Sequence, residues 1–236
     1  MNEHKRIPER FADAVMQAER LSGSLNRRLA SYREQSGRIR PDITRGYDQL
    51  VERLGMLDRE EIGPKVGEPL PPFHMPDENG RLVSLAELIK AGPLVVSFNR
   101  GHWCPYCRLD LRSLAAIHQD VVRLGGQIVS IMPDSARYTG RSVSQDALPF
   151  PILSDMDLGY ALSLGLIFSV GAEIRRLYED LGIELERYQG NDSYFLPMAA
   201  KFIVGRDGLV KARQVNVEFR QRMEPTAILE ALKGLR

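Results

Sequence analysis

From residue 8 to about residue 36, Phe11, Ala14, Val15, Ala18, Leu21, Leu25 and Leu29 recur mostly in steps of three and four. That period puts them on one face of a helix. A second run of the same kind, Ile43, Tyr47, Leu50, Val51, Leu54 and Leu57, follows Pro41, a residue whose ring suits a first helical turn. Gly63-Pro64, Gly67, Pro69, Pro71 and Pro72 then break any helix and mark a linker. The pattern predicts a helical hairpin, forming a helical extension over residues 1–62, ahead of a main domain over residues 63–236.

Past the linker the character changes. Residues 73–76 read as extended, and Asn79-Gly80 is a hairpin-turn dipeptide. Ser84 and Glu87 have capping-box spacing and start a short helix that closes near Gly92. Residues 94–98 are a buried-type strand that runs into the only cysteines. A long helix is expected over 105–124, stopped by Gly125-Gly126, then a strand over 127–132. A helix over 135–148, a short strand over 151–153 and a helix over 158–164 follow. Residues 173–189 are polar and partly helical. Strands over 200–204 and 209–215 flank Asp207-Gly208, and Pro225 opens a last helix over 226–235. Alternating strands and helices followed by an antiparallel pair predict a three-layer α/β domain with a mixed sheet.

Composition narrows the function. With 43% apolar and 27% charged residues, the 236-residue chain can bury a substantial core. Its 32 basic and 31 acidic residues leave a net charge of +1, so no overall field recruits nucleic acid or an anionic membrane. No apolar run approaches the roughly 18 residues of a membrane helix. The charged stretch 1–10 has no signal-like apolar run behind it, so a cytoplasmic address is expected. No glycine-rich phosphate loop occurs, and no cofactor is expected.

The two cysteines, Cys104 and Cys107, fall inside one four-residue window. They cannot staple distant segments, which leaves chemistry as their use. A metal site would need further ligands, and His4, His74, His102 and His118 show no matching pair spacing; two inert buried thiols are the other alternative. Only a thiolate attacks, and an ordinary cysteine with a pKa of about 8.5 is a few per cent ionised at neutral pH. Cys104 precedes Pro105 at the predicted helix start, where free N–H groups and the helix dipole favour a negative sulfur. Arg100 and a protonated His102 would add to that field. Cys107 lies one helical turn on, placed to resolve a Cys104 sulfenic acid, or a mixed disulfide, as an intramolecular disulfide.

Arg100-Gly101-His102-Trp103-Cys104-Pro105-Tyr106-Cys107 after a Val-rich strand resembles an atypical, Cys-Pro-Tyr-Cys-bearing branch of the alkyl hydroperoxide reductase and thiol-specific antioxidant (AhpC/TSA) superfamily. Val66-Gly67-Glu68-Pro69, Leu82-Val83-Ser84-Leu85, Leu153-Ser154-Asp155, Leu196-Pro197-Met198, Phe202-Ile203-Val204 and Arg222-Met223-Glu224-Pro225 are similar to that family's landmarks. The resemblance implies a thioredoxin fold of the peroxiredoxin type. It also implies reduction of hydrogen peroxide or organic hydroperoxides by Cys104, with thioredoxin or a glutaredoxin-like dithiol as reductant. Ordinary members carry a proline and a threonine or serine where Ser97 and Gly101 stand here, and their supporting arginine falls near Ala199; Arg100, Lys201 and Arg222 are the replacements available.

Around the cysteines, Trp103 reads as a packing residue that could also shield the thiol. Tyr106 reads as a partly exposed helix residue with substrate contact as the sharper option, and His102 as a loop residue before a general base. Arg100 is the electrostatic helper of choice, whereas Arg222 gains weight only from the resemblance. The apolar stripe of residues 11–29 suits core packing or a homodimer seam. Trp-Cys-Pro-Tyr-Cys is also similar to thioredoxin and glutaredoxin sites. A dithiol–disulfide oxidoreductase and a redox-sensing interaction protein therefore stand beside the thiol peroxidase.

Overall fold

A computed structural model describes residues 7–56 and 62–235. The leader contains three helices, α1 (Ile7–Arg20), α2 (Leu25–Ile39) and α3 (Pro41–Leu54). The hairpin expected from periodicity is thus corrected: the stretch read as one helix is two. Gly23 adopts φ +110, a conformation that only glycine takes at no steric cost. Ser24 then caps α2 by accepting the Arg27 N–H. The apolar spacing runs through this break with its phase kept, so periodicity alone does not reveal it. Leu57, included in the second run, lies outside the described residues.

β1 (His74–Pro76) and β2 (Leu82–Ser84) form a hairpin across Asn79-Gly80. The Ser84/Glu87 capping box is present and starts α4 (Leu85–Ala91). Next come β3 (Leu94–Phe98), α5 (Pro105–Arg123), β4 (Gln127–Met132), α6 (Ala136–Gln145), β5 (Ile152–Ser154) and α7 (Gly159–Ser163). β6 (Ile167–Ser169), α8 (Gly171–Asp180), α9 (Leu185–Gln189) and β7 (Phe195–Pro197) precede β8 (Ala200–Val204), β9 (Val210–Val215) and α10 (Pro225–Lys233). The β6–β7 hairpin is not among the elements the pattern predicts; strands of three residues are too short to display an alternation.

The five-stranded central sheet has the order β5-β4-β3-β8-β9. β3, β4 and β5 are parallel, and β8 runs antiparallel to both β3 and β9. β3 is therefore the middle strand, and all five of its residues are buried. Alternation sends Val95, Ile128, Met132 and Ile203 to one face, against Leu111 and Leu114 of α5 and Ile228 and Leu232 of α10. Val96, Phe98, Val129, Ile131 and Phe202 lie on the other face, in one continuous apolar cluster with Val15, Ala18, Leu25, Leu29, Leu50 and Leu54 of the leader. Leader and domain thus share a core. Each fully buried leucine contributes roughly 1.5–3 kcal/mol, so Leu25 and Leu29 tie the leader down firmly. Among the described residues, no helix is long and apolar enough to cross a membrane.

Candidate active site

The site lies where β3 leaves the sheet and α5 begins. Cys104 is the N-cap of α5, with extended backbone (φ −86, ψ 113) and Pro105 in the first helical turn. Its Sγ accepts the Cys107 N–H at 3.4 Å and an Arg100 Nη2–H at 3.2 Å. The Arg100 backbone N–H reaches Cys107 Sγ at 3.4 Å. Both cysteines are free thiols with 0% exposure.

Arg100 is buried as completely as the sulfur it touches. Its guanidinium lies 3.7 Å from the Phe219 ring centroid and within 5.5 Å of those of Tyr47 and Trp103. Nη1 donates to the Tyr178 hydroxyl at 3.5 Å, and Nε has no partner. Among the described residues, no carboxylate pairs with this cation. A buried charge requires a counter-ion, and the Cys104 sulfur is the group placed to be one. Burial pushes the Cys104 thiol up, but the Cys107 hydrogen bond, then Arg100 and Arg222, more than offset it and bring its pKa down to about 5.

Cys107 sits in the opposite environment. Burial, followed by the hydrogen bond and the charge of Cys104, holds its pKa well above the ordinary value. Arg222 Nη2 approaches Cys107 Sγ at 3.7 Å, while its Nε lies 3.4 Å from Asp110 Oδ2. Asp110 also receives Lys201 Nζ at 2.5 and 2.6 Å on its two oxygens. These three charges are all buried. The leader holds Arg222 in place: its backbone N–H donates to Asn26 Oδ1 at 2.9 Å, and Asn26 Nδ2 donates to its carbonyl at 2.8 Å. Counting Arg100, three buried cations surround the pair against the single carboxylate of Asp110.

Gly101 and Trp103 form a fitted pair. Gly101 has φ +144, and a Cβ there would stand 2.5 Å from Trp103 Nε1. The indole thus fills the space where the resemblance expects a threonine or serine side chain. Its N–H is buried and unpartnered. His102 turns away from the sulfur: its backbone N–H and Nδ1 lie 2.6 and 2.8 Å from Asp134 Oδ2, and its ring stacks on Tyr138. It secures the loop and is not brought to the thiol.

Tyr106 is 3% exposed, which corrects the expectation of a partly exposed helix residue. Its ring meets Tyr32 of α2 edge-on at 5.0 Å and Phe219 at 5.7 Å. The leader thus supplies part of the cover over this helix position. Of the anticipated residues, Arg100, Gly101, Trp103, Tyr106 and Arg222 converge on Cys104 and Cys107. Lys201 joins through Asp110. Sequence reasoning misses Asp110, Tyr47, Tyr178 and Phe219. Asp110 and Lys201 do leave a trace, as lone charges of opposite sign inside an apolar helix face and the strand Ala200–Val204. Among the described residues, no three His, Cys, Asp or Glu side chains converge as a metal ion would require.

A mixed sheet whose middle strand leads into a cysteine-capped helix defines a thioredoxin-fold protein of the peroxiredoxin type. The chain belongs to the AhpC/TSA family, whose pattern matches residues 66–213. Peroxiredoxin Q, chloroplastic, of Sedum lineare is 32% identical over 101 residues, 42% of this chain and 54% of that protein. The chain thus spans about half the length of the curated relative it matches. Among solved structures, peroxidoxin BcpB from Mycobacterium tuberculosis is similar with a TM-score of 0.58 at 18% identity, covering 73% of this chain and 99% of that one. A cysteine-to-serine mutant of peroxiredoxin 6 from Arenicola marina is similar with a TM-score of 0.57 at 16% identity, covering 73% and 74%. At such identities the likeness is one of fold.

Proposed function

We propose that this protein is a thiol-dependent peroxidase that works through Cys104, with Cys107 as the resolving thiol. The observation that carries the reading is Arg100: a fully buried guanidinium 3.2 Å from Cys104 Sγ, with no carboxylate of its own among the described residues. It stabilises the nucleophilic form of the sulfur. Arg100 Nε and Trp103 Nε1 add unpartnered donors beside it, and a peroxide brings oxygen acceptors. Membership of the AhpC/TSA family supports the same chemistry.

The Cys104 thiolate attacks the terminal peroxide oxygen. An S–O bond forms as the O–O bond breaks, so sulfur is oxidised to sulfenic acid and the peroxide is reduced to an alcohol or water after its oxyanion takes a proton from solvent. The Cys107 sulfur then displaces the sulfenic hydroxyl, which leaves as water with the Cys107 proton, and the disulfide forms. Its high pKa keeps that proton on Cys107 until this step. A cytosolic dithiol of thioredoxin or glutaredoxin type would restore both thiols. Complete burial of both sulfurs favours a small peroxide over a protein disulfide as oxidant.

The test is rapid mixing of reduced protein with stoichiometric peroxide, followed through Trp103 emission and mass spectrometry. The expected outcome is a Cys104–Cys107 disulfide formed far faster than free cysteine is oxidised, and a trapped sulfenic acid in Cys107→Ser. Wild type reacting no faster than Cys104→Ser, while exchanging readily with oxidised glutathione, would move the protein to the dithiol–disulfide oxidoreductases.

A further inference from the structure

A half-open space of about 210 Å³ lies between the leader and the start of α5. Phe11, Tyr32, Ile43 and Tyr47 of the leader line it, with Trp103 from the cysteine segment and Ile183 from the loop after α8. We propose that this cavity binds the organic tail of a small aromatic hydroperoxide whose peroxide end is presented to Cys104, an inference that rests on the peroxidase reading. Three features support it.

Size comes first. The cavity is somewhat larger than an engineered apolar one of about 150 Å³ that holds benzene, and below the roughly 300 Å³ at which drug-sized pockets begin. A compact single-ring tail fits; a long lipid chain does not. Second, the lining is aromatic, and ring edges against ring faces favour an aromatic occupant beyond simple area burial. Third, the wall is continuous with the reactive centre. Trp103 and Pro105, the neighbours of Cys104 on either side, both line the space. Tyr47 also lines the space, and its hydroxyl pairs with Tyr178 beside the Arg100 guanidinium. The buried, unpartnered Trp103 Nε1–H is a donor for a peroxide or alcohol oxygen at that end.

The leader supplies most of this wall, so the extension is a specificity element rather than only a cover. Hydrogen peroxide gains nothing from an apolar tail site. Discrimination of roughly tenfold or more is the usual return on filling such a pocket.

The experiment measures second-order rate constants for Cys104 oxidation by cumene hydroperoxide and by hydrogen peroxide, read by acid quench and thiol alkylation. Wild type is compared with Ile183→Trp and Ile43→Phe, both checked for folding by circular dichroism and melting. Wild type should favour cumene hydroperoxide at least about tenfold, and each variant should lower that preference about fivefold or more. A preference that is absent, or untouched in both variants, overturns the tail site while leaving the peroxidase reading intact. If neither peroxide outpaces its reaction with free cysteine, the peroxidase reading falls and the hydroperoxide assignment falls with it. Binding of the product, cumyl alcohol, measured by ligand-observed NMR, separates the two. Binding weakened in both variants supports the cavity; no binding to wild type overturns it.

Discussion

Cys104 and Cys107 sit one helical turn apart, yet their surroundings set them in opposite protonation states. Cys104 faces Arg100, a buried cation that has no carboxylate among the described residues. Cys107 faces Arg222, a buried cation already engaged by Asp110, which Lys201 also holds. Burial raises both thiols; at Cys104 the Cys107 hydrogen bond and the nearby arginines reverse the shift, and at Cys107 the negative Cys104 deepens it. The difference teaches that the motif supplies two sulfurs, while burial, their mutual hydrogen bond and the arginines around them decide which is nucleophile and which is reserve. A free cation makes a thiolate.

The largest way to break this contrast is to remove the shared anion. Asp110→Asn leaves Lys201 and Arg222 buried without compensation, and breaking a buried ion pair from one side costs about 3–5 kcal/mol. Denaturant titration should show a loss of that order. A loss below about 1 kcal/mol would mean that the Cys107 side is not organised by this carboxylate.

Next in size is Arg100→Met, which keeps much of the volume and removes the free cation. Loss of one preorganised charged donor costs about 10²-fold in rate, and the peroxide reaction at neutral pH should slow by that factor. The pH dependence sharpens the assignment. With the Cys104 pKa at about 5, wild-type reactivity should rise through pH 5 and level off above it; in Arg100→Met the rise should shift upward. The linkage sign follows. The folded pKa is depressed below an unfolded value of about 8.5, so the stabilisation is complete above about pH 8.5 and is lost as pH falls toward about 5. Cys104→Ser should lack this contribution. Thiolate ultraviolet absorbance checks the midpoint, and an unchanged midpoint in Arg100→Met would hand the effect to the helix N-terminus and the Cys107 hydrogen bond.

Much of this site is readable in the chain because its core is local. Cys104, Pro105 and Cys107 announce a capped helix start, and Arg100 is only four residues from the sulfur it touches. The succession of strands and helices follows from alternation and turn dipeptides. What is not readable depends on contacts far apart in sequence. Tyr106 looks half-exposed because its cover, Tyr32, belongs to the leader. Lys201 and Asp110, 91 residues apart, each look like a charge out of place until the fold brings them together. The break at Gly23 is hidden because the apolar face keeps its phase across it, and β6 and β7 are too short to display a period.

The smallest expected effect concerns how the leader reaches one cysteine and not the other. Glu224 accepts the N–H groups of Leu25 and Asn26, each at 2.9 Å, so its carboxylate caps the N-terminus of α2 from across the molecule, with the sign that the helix dipole favours. Asn26 in turn holds the backbone of Arg222, the cation at Cys107. Arg100 takes no part in this clasp. Glu224→Gln retains an acceptor and loses the charge, which should cost about 0.5–1 kcal/mol of stability. Slackening the clasp should move Arg222 relative to Cys107, so disulfide closure should slow by about two- to fivefold at most, the rate equivalent of that energy. The first oxidation of Cys104 should keep its wild-type rate. Two-phase stopped-flow emission resolves these steps, and a variant that slowed the first phase while sparing the second would invert the division of labour between the two arginines.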